Sequence, residues 1–155
     1  MTITLESLRA DLEAMTAKLA QFDAQFEKQT QQFAPCTVTF PALNDGEQWL
    51  GAIISADGSK RHHVILLPGE LESSNWKHSM EWAANIGGDL PDRSESALLF
   101  ATMKSEFKEG AYWMNTQHAA HSDSARYQGF YYGIQDNLNK SSQLRARAVR
   151  RVVIA

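Results

Sequence analysis

A heptad pattern of apolar residues runs through the N-terminal part of the chain. Its members are Leu5, Leu8, Leu12, Met15, Leu19, Phe22, Phe26 and Phe33. From Leu5 to Phe26 the members are separated alternately by three and four residues, which places them along one narrow stripe of an α-helix. Such a stripe is typical of helices that supercoil around other helices. The pattern therefore predicts a coiled-coil oligomerisation helix over residues 1–34.

The residues around this stripe indicate where the helix begins and ends. Thr4 is a suitable N-cap, and Glu6 places a negative charge in the first turn. Pro35 ends the helix, because proline disfavours helix in the preceding residue and has no amide hydrogen to donate. An uninterrupted helix up to that point would be about 43 Å long.

The apolar stripe has three candidate packing partners. They are another copy of the chain, the remainder of the same chain, and a helix of a different protein. The stripe is narrower than the apolar face of a helix that packs on its own domain, which favours self-association. The bulky Phe22 and Phe26 favour three strands or more, and a homotrimer is the favoured oligomer. Gln29 interrupts the stripe, either to set the register or where the helices begin to splay.

Residues 36–155 have the pattern of a separate α+β domain. The β-rich segments 49–56 and 61–67 flank a turn and predict a hairpin. Residues 37–40 predict a further short strand, and residues 144–154 predict a terminal strand with one charged face. The domain is therefore expected to have strands at both ends.

Two helices are predicted between these strands. The first covers residues 73–86, begins after one of two serines, and is stopped by a pair of glycines. The second begins at a capping box formed by Asp92 and Glu95. It is expected to run through Phe107 and to end at Gly110.

Several motifs of this domain together resemble a known family. They are Val64-Ile65-Leu66-Leu67-Pro68-Gly69, Trp76, Trp82-Ala83-Ala84, Gly87-Gly88-Asp89-Leu90-Pro91, Leu98-Leu99-Phe100, Tyr112-Trp113 and Arg145-Ala146-Arg147-Ala148-Val149-Arg150-Arg151-Val152. Their order resembles the DUF1566 family, a bacterial and bacteriophage branch of the C-type-lectin-like fold. The resemblance implies a domain whose first and last strands pair, with two helices beside the sheet and a loop-rich half that displays the ligand surface. Met114 and Asn115 stand where the family commonly has two serines, so hydroxyl-based contacts are absent there.

A segment rich in rings and amides is the predicted ligand-binding surface. Its members are Asn115, Gln117, His118, His121, Arg126, Tyr127, Tyr131, Gln135 and Asn137. Tyrosine rings and side-chain amides provide contact area and hydrogen bonds at low entropic cost. In lectin-like relatives the corresponding segment is the displayed surface. The alternative is that the rings are core and the polar side chains line a solvated loop.

Metal binding is the less favoured interpretation of the histidines in this segment. His118 and His121 could share one face of a helical turn and hold a metal with Asp123, but the spacing differs from that of zinc hydrolases. For calcium, Asp136, Asn137 and Asn139 are the nearby oxygen ligands, and the tripeptides of calcium lectins are missing. No metal and no cofactor are expected.

Enzymatic activity is not expected either. The sequence shows neither a Ser/His/Asp constellation nor a phosphate-binding glycine-rich loop. Cys36 is the single cysteine, so it forms no internal disulfide, and the chemistry of the related formylglycine-generating enzymes needs active-site cysteines.

The four arginines near the C-terminal end have two interpretations. Arg145, Arg147, Arg150 and Arg151 could capture phosphate or acidic glycans. The favoured interpretation is structural: such arginines pair with acidic neighbours or stack on aromatic rings.

The net charge and the hydropathy of the chain restrict which classes of partner and which cellular location are expected. A net charge of −3 and a pI near 5.9 disfavour non-specific nucleic-acid binding. No apolar run approaches the roughly 20 residues of a membrane-spanning helix, so no membrane insertion is expected. The N-terminal residues lack the pattern of a secretory signal peptide, which predicts a virion or bacterial cytoplasmic location.

The sequence as a whole predicts a non-enzymatic ligand- or protein-binding module, in which an oligomeric stalk carries lectin-like heads. The expected setting is a phage virion, tail or host-surface receptor-binding protein. The expected partners are further copies of the chain, a host-surface glycan or protein, or another phage protein. The alternative is a phage-encoded or bacterial intracellular accessory protein that binds a protein target.

Overall fold

A computed structural model describes residues 4–31 and 39–154 of the chain, and the side chains of residues 28–31 lie outside that description. The chain divides into two compact units, Met1–Val38 and Thr39–Ala155. The described helices are α1 (Leu5–Gln31), α2 (Trp76–Asn85) and α3 (Arg93–Thr102), and the strands are β1 (Gln48–Ile54), β2 (Arg61–Leu66), β3 (Leu71–Ser74), β4 (Ala111–Gln117), β5 (Ser124–Gly129), β6 (Gln135–Asn139), β7 (Leu144–Ala146) and β8 (Val149–Val153). The protein is therefore of the α+β class, as the sequence predicts.

The first unit consists of α1, a helix of 27 residues that spans about 40 Å. Thr4 caps it as predicted: its Oγ1 accepts a hydrogen bond from the Ser7 amide at 3.3 Å. Along one stripe of α1 the apolar side chains from Leu5 to Phe26 are all exposed, with exposed fractions between 54% and 70%. Phe33, Pro35 and Cys36, together with the side chain of Gln29, lie outside the described residues.

A three-stranded sheet, ordered β1-β2-β8, forms one side of the second unit, and both of its pairings are antiparallel. The predicted hairpin is confirmed, since Ser55 donates its amide to the Lys60 carbonyl at 2.9 Å across the turn. β8 pairs with β2 rather than with β1, so the first and last strands of the domain are not neighbours. The reason is burial: Val64, Ile65 and Leu66 of β2 are almost fully buried, so β2 lies in the centre of this sheet.

A second sheet contains five strands in the order β3-β7-β4-β5-β6. β4 and β7 are parallel, and the other pairings are antiparallel. The prediction of one terminal strand over residues 144–154 is wrong, because the chain leaves the second sheet after Ala146 and joins the first sheet at Val149. Arg147 lies between the two strands and donates its NH1 to the Glu106 carbonyl at 2.8 Å.

The N-cap of α2 lies one residue after Ser74 and two residues after Ser73, the two serines predicted to cap it. Ser74 belongs to β3, and Asn75 is the N-cap, with its side chain accepting from the His78 amide at 2.9 Å. The helix is followed by Gly87, whose φ of +83° is a left-handed conformation that suits glycine. Of the strand predicted over residues 37–40, residues 37 and 38 lie outside the description, and Thr39 and Phe40 are not in a strand.

The capping box of α3 is confirmed. The Asp92 side chain accepts from the Glu95 amide, and the Glu95 side chain accepts from the Asp92 amide. The helix ends at Thr102, earlier than predicted, and a 3-10 helix follows at Lys104–Glu106. Phe107, which was predicted to be helical, has an extended backbone and stacks on the Phe130 ring at 3.9 Å between centroids.

Two apolar clusters fill the second unit, and β4 contributes to both. Tyr112 belongs to a cluster with Leu99 and Phe130, and Trp113 belongs to a cluster with Leu90. Because successive strand residues point to opposite faces, the adjacent tyrosine and tryptophan anchor β4 from both sides. In the described ranges, no helix is long and apolar enough to cross a membrane.

Candidate functional site

The nine predicted ligand-binding residues fall into separate groups. Gln117, His118 and His121 lie at the turn between β4 and β5. Tyr131 lies in the turn between β5 and β6, and Asn115 lies within β4. The remaining four, which are Arg126, Tyr127, Gln135 and Asn137, lie on the β5–β6 pair.

The two histidines stabilise the β4–β5 turn. His118 Nδ1 accepts hydrogen bonds from the amides of Ala120 at 3.2 Å and His121 at 3.1 Å. The two imidazole rings stack with centroids 4.9 Å apart. The sequence-based helical turn is wrong here, because the His118 amide continues the strand pairing to the Ser124 carbonyl. Within the described residues, no group of three or more His, Cys, Asp or Glu side chains is placed to hold a metal ion.

Gln117 is held by a lysine. Lys140 donates its Nζ to Gln117 Oε1 at 2.6 Å and to the Ser122 carbonyl at 2.7 Å. The same Nζ lies 4.5 Å from the centroid of the Trp76 ring, at cation–π distance. Gln117 therefore helps to stabilise the β4–β5 turn through Lys140.

Asn115 is also committed to contacts within the fold. Its Nδ2 donates to Asp89 Oδ2 at 2.8 Å, and its amide donates to the Pro91 carbonyl at 3.1 Å. Asp89 in turn accepts from NH1 of Arg151 at 2.8 Å. These bonds connect β4 to the segment before α3 and to β8.

The β5–β6 pair separates its side chains onto two faces. Arg126 lies opposite Asn137, and Gln128 lies opposite Gln135. By strand alternation these four side chains share one face, whereas Tyr127 points to the other face and packs against the cluster that contains Trp113. Arg126, Gln135 and Asn137 are thus the predicted residues that the fold brings together.

A cleft of about 580 Å³ lies between α3 and this face of the β5–β6 hairpin, and its lining includes Arg93, Ser94, Phe100, Gln128, Gly133 and Gln135. Gln128 is only 2% exposed, and its Oε1 accepts from Gln135 Nε2 at 3.0 Å. Gln135 Nε2 also donates to the Arg93 carbonyl at 2.8 Å, and Arg93 Nε donates to Gln135 Oε1 at 3.2 Å. A pair of amides therefore joins the helix to the hairpin at the cleft.

Arg93 contributes a cation to the lining of this cleft, and no carboxylate is among its lining residues in the described part of the chain. Lys104 Nζ lies 5.1 Å from the centroid of the Phe100 ring and donates to the Tyr131 carbonyl at 3.3 Å. Arg93 and Arg126 form no ion pair with any residue that the structure describes. Both side chains are at least partly exposed.

Unlike Arg93 and Arg126, three of the four C-terminal arginines form ion pairs within the domain, in agreement with the favoured structural interpretation. Arg145 pairs with Glu70 at 3.0 Å, and Arg151 pairs with Glu95 at 2.6 Å. Arg147 donates to backbone carbonyls and lies over the Phe107 ring, with the guanidinium carbon 5.3 Å from its centroid. These guanidinium groups hold the domain together and leave little capacity for an external anion.

The fourth of these arginines is tied to Glu47. Arg150 Nε and NH2 donate to the two oxygens of Glu47, each at 2.7 Å, and the carboxylate side chain is 4% exposed. The hydrogen bond from Arg150 holds the pKa of Glu47 down to about 2, against an ordinary value of 4.5. The pair stays ionised over most of the pH range.

A second cavity of about 450 Å³ lies beside β2 and β8, and its lining includes Lys60, His62 and Arg151. Its cationic lining is already engaged: Lys60 pairs with Asp92 at 2.9 Å, and Arg151 pairs with Glu95. His62 Nε2 lies 3.2 Å from the same Glu95 carboxylate. This cavity is therefore bordered by a structural network and is a weaker candidate than the cleft beside α3.

The sequence-based prediction missed the contribution of α3 to the cleft. Arg93, Ala97 and Phe100 follow helical spacing and so share one face of α3, a pattern that is visible in the sequence. The hairpin that packs against this face is identified by the contact between Arg93 and Gln135, which are 42 positions apart in the chain. Local sequence patterns do not determine such a contact.

A scan against protein-family models finds none that matches this chain. A search of curated proteins finds no match either. The function is therefore inferred from the exposed stripe of α1 and from the cationic cleft.

Proposed function

We propose that this chain is a non-enzymatic, oligomeric binding protein. Its α1 helix joins several copies of the chain, three being favoured, and each copy carries a lectin-like head of the DUF1566 type. Each head presents the cleft between α3 and β5–β6 to a ligand. Linking several heads gives a higher effective concentration, so weak individual contacts become useful avidity. The setting that fits is a phage virion, tail or host-surface-binding protein.

The observation that carries this proposal is the exposed stripe of α1. From Leu5 to Phe26 its apolar side chains are 54–70% exposed, at heptad spacing. A second copy of α1 presents the same stripe with the same period, so side chains from each copy pack into spaces on the other. The rings of Phe22 and Phe26, stacked at 6.4 Å between centroids, add bulk that favours a trimer.

Two of the motif residues support a lectin-like head because they stand at positions with strong constraints. A Cβ at Gly88 would lie 2.6 Å from Leu67 Cδ1 and 2.7 Å from the Val149 carbonyl oxygen, so only glycine fits. Trp113 is fully buried and donates its indole N–H to the Ser74 carbonyl at 2.8 Å. Both residues fall within the motifs that resemble the DUF1566 family, and both are fixed by contacts with distant parts of the head.

The test is the mass of the full chain in solution by light scattering. The wild type is expected at three times the 17.4 kDa chain mass. Leu12→Asn with Leu19→Asn should reduce it to the mass of one chain, because asparagine at two stripe positions removes the apolar contact. Ala10→Asn with Ala17→Asn is the matched control, since these positions lie on the opposite side of α1, and it should keep the wild-type mass.

Two results would overturn the self-association. One is a wild-type chain that has the mass of a single copy across a wide concentration range. The other is a control variant that dissociates to the same extent as the stripe variant, because the loss would then come from lower helix propensity rather than from the stripe.

A further inference from the structure

The second unit contains two Asp-Gly sequences, Asp45-Gly46 and Asp57-Gly58. In such a sequence the glycine amide nitrogen can attack the side-chain carboxyl carbon of the aspartate, because glycine has no Cβ to hinder the approach. The new C–N bond closes a succinimide ring, and one water molecule leaves. Water then opens the ring, and opening at the main-chain carbonyl gives isoaspartate, in which the main chain runs through the former side chain. The net reaction is an isomerisation without a change of mass.

The reaction is hindered at Asp57-Gly58, where both reacting groups are hydrogen-bonded. The Gly58 amide donates to the Ser55 carbonyl at 2.9 Å. Asp57 Oδ1 accepts from the Ser55 hydroxyl and from the amide and hydroxyl of Ser59. These hydrogen bonds, of which that from Ser55 has the largest effect, hold the pKa of Asp57 down to about 2, against an ordinary value of 3.8. The protonated carboxyl group, which releases water most readily, is therefore scarce at neutral pH.

At Asp45-Gly46 the same groups have no partner in the described part of the chain. Both residues are exposed. The Asp45 carboxylate accepts no hydrogen bond and forms no ion pair there, and the Gly46 amide donates to no acceptor. The turn is closed by its outer residues instead, since the Glu47 amide donates to the Asn44 carbonyl at 3.1 Å. The two groups that must react are therefore not restrained by hydrogen bonds of their own.

Asp45 lies inside the turn that presents Glu47 to Arg150. Asn44 donates its amide to Glu47 Oε2 at 2.7 Å and its Nδ2 to Glu47 Oε1 at 3.1 Å. The same carboxylate accepts two hydrogen bonds from Arg150 of β8, each at 2.7 Å. Isoaspartate would add one carbon atom to the main chain between Asn44 and Glu47. The turn would then no longer have the length that aligns Asn44, Glu47 and Arg150.

We propose that Asp45 is a site of isoaspartate formation, and that this modification weakens the attachment of the turn to β8. The modification needs no enzyme and no reactant other than water. It is independent of the ligand of the head and of the oligomeric state.

The test is incubation of the full chain at physiological pH and temperature for several weeks, followed by enzymatic transfer of labelled methyl groups from S-adenosylmethionine to the new isoaspartate carboxylates. The peptide that contains Asp45 should carry at least about tenfold more label than the peptide that contains Asp57, because the lowered pKa of Asp57 reduces its protonated fraction by more than tenfold. The labelled peptide should otherwise keep its mass, whereas deamidation of Asn44 would raise it.

Asp45→Glu should abolish the label at this turn, since attack on a glutamate side chain closes a larger ring and is much slower. Asp57→Glu is the matched control and should leave the label at Asp45 unchanged. After incubation, the wild type should unfold at a lower urea concentration than before, in proportion to its isoaspartate content, and Asp45→Glu should keep its initial midpoint.

Three outcomes would overturn the proposal. Label at Asp57 equal to or above that at Asp45, or none at Asp45, would show that the free amide and carboxylate do not determine the reaction. Label that persists at this turn in Asp45→Glu would place the isoaspartate at another residue. An incubated wild type that carries isoaspartate at Asp45 and keeps its urea midpoint would show that the turn remains attached to β8.

Discussion

Arg151 donates two hydrogen bonds to Glu95, from Nε to Oε1 at 2.6 Å and from NH2 to Oε2 at 2.7 Å. Glu95 is fully buried and is also part of the capping box of α3. The pair therefore ties the last strand of the domain to the beginning of the helix that borders the cleft. Removing Arg151 would leave the buried Glu95 carboxylate without its guanidinium partner, whereas removing Glu95 leaves Arg151 paired with Asp89 at 2.8 Å.

Glu95→Gln should lower the free energy of unfolding by about 2 kcal/mol, because Arg151 loses two hydrogen bonds to a buried carboxylate and keeps only its pair with Asp89. The measurement is urea denaturation of the full chain followed by tryptophan fluorescence. Glu81→Gln is the matched control, since Glu81 forms an exposed pair with Lys77 at 3.8 Å, and it should change stability by less than about 0.5 kcal/mol. Equal effects in the two variants would contradict a structural role for the Arg151–Glu95 pair.

The Glu47–Arg150 pair predicts an acid dependence of stability. The pKa of Glu47 is lowered to about 2 in the folded chain, so its contribution is complete above pH 4.5 and is lost as the pH falls toward 2. Glu47→Gln should cost roughly 2–3 kcal/mol at pH 7. The difference between wild type and variant should decrease between pH 4.5 and pH 2.

The check is a series of urea denaturations over that pH range. Glu109→Gln serves as the control, because Glu109 is exposed and has no ion pair among the described residues. It should keep the wild-type slope. A Glu47→Gln variant with the wild-type slope would show that this carboxylate does not cause the acid dependence.

Gly133 lies at the floor of the cleft with a φ of +78°, and a Cβ there would lie 2.6 Å from the Phe100 ring. Gly58 has a similar φ of +72°, but a Cβ there would meet nothing within 4 Å. Both alanine variants are strained by about 1 kcal/mol in the backbone. Gly133→Ala should lose a further 1 kcal/mol or so through displacement of the ring, in the range of overpacking costs. Thermal unfolding of the two variants measures the difference, and equal melting temperatures would contradict the close contact.

His118 should act as an acceptor that stabilises its turn. His118→Ala removes two hydrogen bonds from the amides of Ala120 and His121 and should cost about 1 kcal/mol. His118→Asn should recover much of this loss, because an asparagine side chain accepts from the backbone two residues on. Chemical denaturation of both variants tests this, and the idea fails if the asparagine variant is no more stable than the alanine variant.

The local features of this protein could be predicted where a few neighbouring residues contain the cause. The capping box of Asp92 and Glu95 depends on two side chains and two amides within four positions. The hairpin turn at Asp57 and Gly58 likewise depends on residues that are adjacent in the chain. Such interactions are the same in any fold, so their residue pattern is sufficient.

Features that depend on distant contacts could not be predicted in the same way. The alternating pattern of residues 144–154 is compatible with one strand, and only the two sheets on either side show that the chain changes partner at Arg147. Among the predicted ligand-binding residues, Asn115 and Gln117 are engaged by Asp89 and Lys140, which lie far from them in sequence. A polar side chain looks equally available in a sequence whether or not the fold supplies it with a partner.

The sequence by itself determined the long amphipathic helix with its apolar stripe and the α+β class. Periodicity and residue chemistry are enough for these, because they act over one or two turns or strands. Only the tertiary structure decided where a ligand site can lie, since it placed Arg93 of α3 against Gln135 of β6. The physical reason is pairing: a charged or polar group is free for a ligand only when no distant residue has neutralised or bonded it, and that depends on the whole fold.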